Sequence, residues 1–168
     1  FLDQFEGVFS TEVGYANGPE YTNQHAPSYE EVCRNSGHAE TVKVTYDESL
    51  LSLPELLHYF FMVIDPVSVN RQGNDRGIQY RTGIYFTEMA QLREIRPVYD
   101  AEQDKAGQPL AVELQLIKNF YSAEEYHQKY LEKNPDGYCH IPDKYYHMEK
   151  AMTIEEHMRM YFGDWIAK

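Results

Sequence analysis

The sequence predicts an α+β fold: a single domain in which helices pack on a mixed or antiparallel sheet. Three observations predict it. Short stretches alternate apolar and polar residues, as where Val42, Val44 and Tyr46 interleave with Thr41, Lys43 and Thr45. Between such stretches lie segments opened by Ser-x-x-Glu, the pattern of a helix capping box. The 168 residues, 42% hydrophobic and 14% aromatic, suffice for one core and are too apolar for a disordered chain.

In order, Phe1, Leu2 and Phe5 are spaced like one helical face, and Gly7 suits the position just past a helix end. The chain therefore reads as opening inside a helix, as a fragment or processed product would. Residues 8–15 read as a strand and 14–25 as a loop, with Ala16-Asn17-Gly18-Pro19 as turn chemistry. A second strand spans 40–46. Ser52 and Glu55 open a helix reaching about residue 62. Residues 65–78 form a polar, glycine-containing loop long enough to suggest a function. A third strand covers 81–86, and Thr87 starts a helix that Pro97 interrupts or follows. A fourth strand spans 111–117. Ser122 and Glu125 form another capping box, for a helix toward Lys133 that Asn134-Pro135-Asp136-Gly137 stops. Thr153 and Glu156 open a last helix, with Ile154, Met158, Tyr161, Phe162 and Trp165 on one face.

Charge and cysteine usage exclude whole classes. A net charge of −12 is wrong for nucleic acid and for an anionic membrane surface, both of which need clustered Lys and Arg. No stretch has the apolar length of a spanning helix, and no signal-peptide pattern opens the chain. Cys33 and Cys139 are too few for a disulfide scaffold and form no CxxC pair, which fits a cytoplasmic protein with reduced or redox-active thiols. His25, His38, Glu40 and Asp75 have no metal-ligand spacing, so no metal is expected. Fifteen tyrosines make an aromatic, hydrogen-bonding cleft plausible, although most tyrosines serve as ordinary core or rim residues.

Three loop segments put reactive polar groups beside glycine at the edge of a predicted element: 27–40, 71–81 and 134–139. Taken singly they stay ambiguous. Glu40 reads equally as a surface carboxylate, Asp75 as a turn residue and Cys139 as a buried, inert thiol.

Taken together they resemble one family. Ser10-Thr11-Glu12-Val13-Gly14-Tyr15-Ala16-Asn17-Gly18, Tyr29-Glu30-Glu31-Val32-Cys33 and Gly37-His38-Ala39-Glu40 resemble the peptide methionine sulfoxide reductase A family. Arg71-Gln72-Gly73-Asn74-Asp75, Gln79-Tyr80-Arg81, Lys133-Asn134-Pro135 and Gly137-Tyr138-Cys139 continue it in the same order. The resemblance runs over residues 1–140 and leaves 141–168 as a C-terminal helical extension. The family's Gly-Cys-Phe-Trp-Gly signature, which carries the nucleophilic cysteine, lies shortly before the part matched by Phe1 to Tyr15. The strand and nucleophile segment are therefore expected to be missing from this chain. Losing them is expected to expose apolar surface and an unpaired strand edge.

The resemblance implies thiol-dependent reduction of methionine-S-sulfoxide, free or in proteins, to methionine, which repairs oxidised proteins. It implies Glu40 as the acid that protonates the sulfoxide oxygen, Tyr29 and Tyr80 as phenols bound to that oxygen, and Asp75 as a carboxylate beside the nucleophile. All four are implied to bind substrate. Cys139 is implied to recycle the enzyme by condensing with a sulfenic acid. Cys33 is left unassigned. No bound cofactor is implied; thioredoxin, or dithiothreitol in its place, is the external reductant. Two other readings remain open: an inactive relative that binds oxidised peptides, and an unrelated thiol enzyme using Cys139 beside His140.

Overall fold

A computed structural model describes residues 1–21 and 26–146. His25 and the helix expected from Thr153 lie outside the described residues. In chain order the elements are β1 (Val8–Ala16), α1 (Tyr29–Cys33), β2 (Ala39–Tyr46), α2 (Leu53–Met62), β3 (Arg71–Gln72) and β4 (Asp75–Arg76). They continue with β5 (Gly83–Phe86), α3 (Leu92–Ala106), β6 (Glu113–Leu116), β7 (Phe120–Ser122) and α4 (Tyr130–Lys133).

The α+β class holds, with the strands divided between an antiparallel sheet in the order β2-β1-β7 and a parallel pair, β5-β6. In the first sheet the register sets Tyr15 opposite Glu40 on one side and opposite Tyr121 on the other. Gly14 permits the close pairing with β7: a Cβ there would meet the Phe120 ring and the Tyr121 carbonyl at 2.4 Å. The parallel pair needs a crossover, and α3 lies within the connection between its strands. Leu53, Leu57, Phe61, Ile84, Ile95 and Val98 form the core between α2, α3 and this pair.

Arg81, at the foot of β5, fastens the two sheets together. Its guanidinium donates to the carbonyls of Asn17 at 3.3 Å and Gly37 at 3.2 Å, and its Nε pairs with Glu113 at 3.1 Å. The Glu113 carboxylate also accepts from the Tyr85 hydroxyl at 2.7 Å. A planar fork of donors suits such a three-way joint.

Several expectations change. The opening segment is a short 3₁₀ turn, Leu2–Gln4, in place of the end of an α-helix. Residues 29–33 form a helix where a loop was expected; Ser28 and Glu31 make a complete capping box. The loop at 65–78 contains a small hairpin, β3-β4. Pro97 sits inside α3 without ending it, at an exposed position one turn after the exposed Arg93, whose carbonyl it cannot serve as a donor.

The helix expected from Ser122 does not form. Ser122 ends β7, and Lys129 adopts left-handed backbone at φ 52°, which confines helix to α4. Glu125 bonds the Lys133 side chain, and Glu124 turns inward to two other partners described below.

Candidate active site

The first wall of the site is built on β2, α1 and the turn after the small hairpin. Glu40 is the second residue of β2, where the strand starts beneath the Arg81 joint. Its Oε1 is buried and accepts no hydrogen bond among the described residues. Burial, with the charge of Asp75 beside it, pushes the Glu40 carboxyl up to about 7. A carboxyl in that range carries a proton near neutrality and can donate it.

Tyr29 opens α1 directly after its cap, Ser28. Its phenol meets the Cys33 thiol one helical turn on and the Tyr80 hydroxyl across the site. The Cys33 contact, burial and Tyr80 together hold the Tyr29 phenol well above its ordinary range. Tyr80 ends a 3₁₀ turn, Ile78–Tyr80, immediately before Arg81. Burial first, then the charge of Glu40, raises its phenol as well. Both phenols therefore stay protonated and remain donors at any physiological pH.

Asp75 stands on β4, and its charge reaches Glu40, Tyr80 and His140. Burial keeps the His140 imidazole below its ordinary value, against the pull of Asp75. The hairpin turns at Gly73, whose φ of 56° favours glycine. A Cβ there would lie 3.1 Å from the His140 Cβ, so the hairpin packs directly on the segment that carries Cys139.

The second wall is that segment. The Cys139 sulfur lies 3.2 Å from the Tyr146 hydroxyl and accepts from the Ile141 amide at 3.5 Å. Phe1 docks here: its ring stands edge-on to Tyr145 and Tyr146, both at 6.2 Å. A cleft of about 540 Å³ opens beside Cys139, lined by Leu131, Pro135, Tyr138, Ile141 and Tyr146 among others.

The structure thus gathers Glu40, Tyr29, Tyr80 and Asp75 around one point. Cys139 lies on the neighbouring segment, which meets that point where His140 approaches Asp75 and packs against Gly73. Two neighbours, Glu124 and His127, were not foreseen, and a third, His140, was named only as a partner of Cys139. His140 adjoins Cys139 in sequence, but its approach to Asp75 depends on the hairpin at Gly73. Glu124 and His127 flank Tyr29 from about a hundred residues away, and no local pattern marks them.

A protonated carboxyl and two phenols held together, with a thiol on the next segment, suit a class of protein that binds a hydrogen-bond-accepting oxygen beside redox-active sulfur. The family model for peptide methionine sulfoxide reductase matches residues 1–159. A peptide methionine sulfoxide reductase MsrA of Lachnoclostridium phytofermentans is 54% identical over 142 residues, covering 84% of this chain and 83% of that protein. Mxr1 of Saccharomyces cerevisiae in its reduced form superposes with a TM-score of 0.76 at 41% identity, over 80% of this chain and 76% of that one. The same yeast protein in complex with Trx2 matches with a TM-score of 0.50 at 29% identity, over 71% and 66% of the two chains. The chain belongs to the peptide methionine sulfoxide reductase family.

Proposed function

We propose that the site reduces methionine-S-sulfoxide, free or within proteins, with Glu40 as acid, Tyr29 and Tyr80 as hydrogen-bond donors to the sulfoxide oxygen, and Asp75 as a nearby charge that adds to burial in keeping Glu40 protonated. One observation carries this reading: the buried, unpartnered oxygen of Glu40, on a carboxyl shifted to about 7, beside two phenols. A sulfoxide oxygen only accepts hydrogen bonds, and it gathers negative charge as a thiolate approaches the sulfur. Donors held around that position stabilise the transition state more than the ground state.

The nucleophile in this reading is the thiolate of the family's Gly-Cys-Phe-Trp-Gly signature, delivered from ahead of Phe1. It attacks the sulfur while Glu40 protonates the oxygen. Oxygen passes from methionine to the thiol, so one thiol and one sulfoxide become one sulfenic acid and one thioether. Cys139 then attacks the sulfenic sulfur, forms a disulfide and releases water. The docking of Phe1 on the segment of Cys139 supports this pairing. Thioredoxin, whose two thiols become a disulfide as this one is reduced, is the external reductant, in keeping with a complex of the yeast relative with Trx2. That supply of reduced thiols fits a cytoplasmic setting.

The test is stereochemical. With the signature segment joined ahead of Phe1 and dithiothreitol as reductant, a mixture of sulfoxide epimers should lose its S form and keep its R form. Equal consumption of the two epimers, or of neither, ends the reading.

A further inference from the structure

Outside the acid and the phenols, the stretch 123–128 makes the most informative contacts. The Glu124 carboxylate is divided between two elements. Its Oε1 accepts from the Tyr29 amide at 2.8 Å, and its Oε2 accepts from the Tyr15 hydroxyl at 2.7 Å. The Tyr29 amide belongs to the first turn of α1, whose donors have no partner within the helix. Glu124 therefore supplies from a distant part of the chain what the Ser28 cap leaves open. Tyr15 is 1% exposed and is the β1 partner of Glu40.

The platform beneath Glu124 is itself fastened. Gln128 accepts from the Val13 amide at 2.9 Å and donates to the carbonyls of Val13 at 2.8 Å and Ala123 at 3.1 Å. The His127 ring lies 4.6 Å from the Tyr29 ring, edge to face. Burial acts to raise the Glu124 carboxyl, but the bonds from Tyr15 and the Tyr29 amide outweigh it and hold the group below its ordinary range. An ionised carboxylate only accepts, and here it meets two donors.

We infer that Glu124 is a positioning residue for the sulfoxide site, fixing the Tyr29 phenol relative to Glu40 through the amide that opens α1 and the hydroxyl of the strand residue paired with Glu40. This rests on the function proposed above. Glu124→Gln keeps the shape but leaves one of the two donors facing an amide nitrogen, which cannot accept. Tyr29 would then lose its fixed distance from the acid while keeping its own hydroxyl.

The experiment is a double-mutant cycle on the chain with the signature segment joined ahead of Phe1 and its cysteine changed to serine to stop turnover, read as the affinity for the S and R epimers of N-acetyl-methionine sulfoxide methylamide. Glu124→Gln should weaken S-epimer binding about 5- to 20-fold and reduce the preference for S over R. In a Tyr29→Phe background the same change should cost less than about 2-fold, because the phenol through which it acts is gone. If Glu124→Gln does not fold, Tyr15→Phe, which releases Oε2, should weaken S-epimer binding about 2- to 5-fold with the same dependence on Tyr29. Unchanged affinity and epimer preference, or a penalty of equal size with and without the Tyr29 hydroxyl, would overturn the inference while leaving the function standing. No saturable S-epimer binding by that segment-bearing protein with Glu124, Tyr29 and Tyr15 intact would overturn both.

Discussion

The two walls of the site are built differently. The wall of Glu40, Tyr29 and Tyr80 is held by strand register, by a helix with a full capping box, by a carboxylate bridge from Glu124 and by the Arg81 joint. The wall of Cys139 is a turn-rich segment whose thiol is held by a phenol and one amide at sulfur distances. Sulfur is a weak hydrogen-bonding partner, so these contacts cost little to break. The difference matches the work proposed for each wall. Proton donors to a transition state gain from being fixed in advance. A thiol that must travel to a sulfenic acid gains from standing on a segment that opens easily.

The sharpest way to break this comparison is at the acid. With the signature segment present, Glu40→Gln should slow methionine formation in a single turnover by about 10²- to 10⁴-fold while changing sulfoxide affinity by less than about 3-fold. In the wild-type protein the same rate should fall as pH rises through about 7, where Glu40 loses its proton. A wild-type rate in Glu40→Gln would remove the acid from the first wall.

The second wall should respond in another phase of the reaction. Cys139→Ser should leave the first turnover within about 2-fold of wild type and lower thioredoxin-supported steady-state turnover about 10-fold or more. Rapid-quench measurement separates the two phases. A lost first turnover would mean that Cys139 serves the chemistry itself.

A smaller effect distinguishes the walls by stability. Glu40 binds its proton more tightly in the folded protein than unfolded, because burial disfavours the charge. Between its unfolded value and about 7 the folded state holds more protons, so this group's contribution to stability falls as pH rises through that window. Glu40→Gln removes the penalty. It should stabilise the protein by about 1–2 kcal/mol at pH 8 and by nearly nothing at pH 4, read from urea midpoints. Equal shifts at both pH values would show that the carboxyl is well solvated.

The hairpin that joins the walls allows the finest test. Gly73→Ala should cost about 1 kcal/mol, from left-handed backbone and from crowding against His140. A melt unchanged by this substitution would show that the hairpin stands away from the Cys139 segment.

The first wall was more legible in the sequence than the contacts that hold it. β2 showed in its alternation, and α2 in the capping box of Ser52 and Glu55. The box of Ser28 and Glu31 was equally present, yet the five residues it opens are too few to show helical periodicity. β7 has only three residues and shows no alternation worth reading. The box at Ser122 and Glu125 misled for a physical reason. Tyr15, Tyr29 and Val13 offer Glu124 and Gln128 better partners than a local helix does, and those partners come from the far end of the chain. The motif residues Glu40, Tyr80 and Asp75 could be named beforehand; their convergence through Gly73 and Arg81 is tertiary.

The Arg81 joint has a consequence for how the protein meets acid. A guanidinium keeps its charge throughout the biological range, and three of its four partners, the carbonyls of Asn17, Gly37 and Ile78, are peptide oxygens, which do not titrate. The seam between the sheets is thereby insulated from proton concentration. Acidification can alter the protonation of the Glu40 carboxyl long before it loosens the frame that holds it.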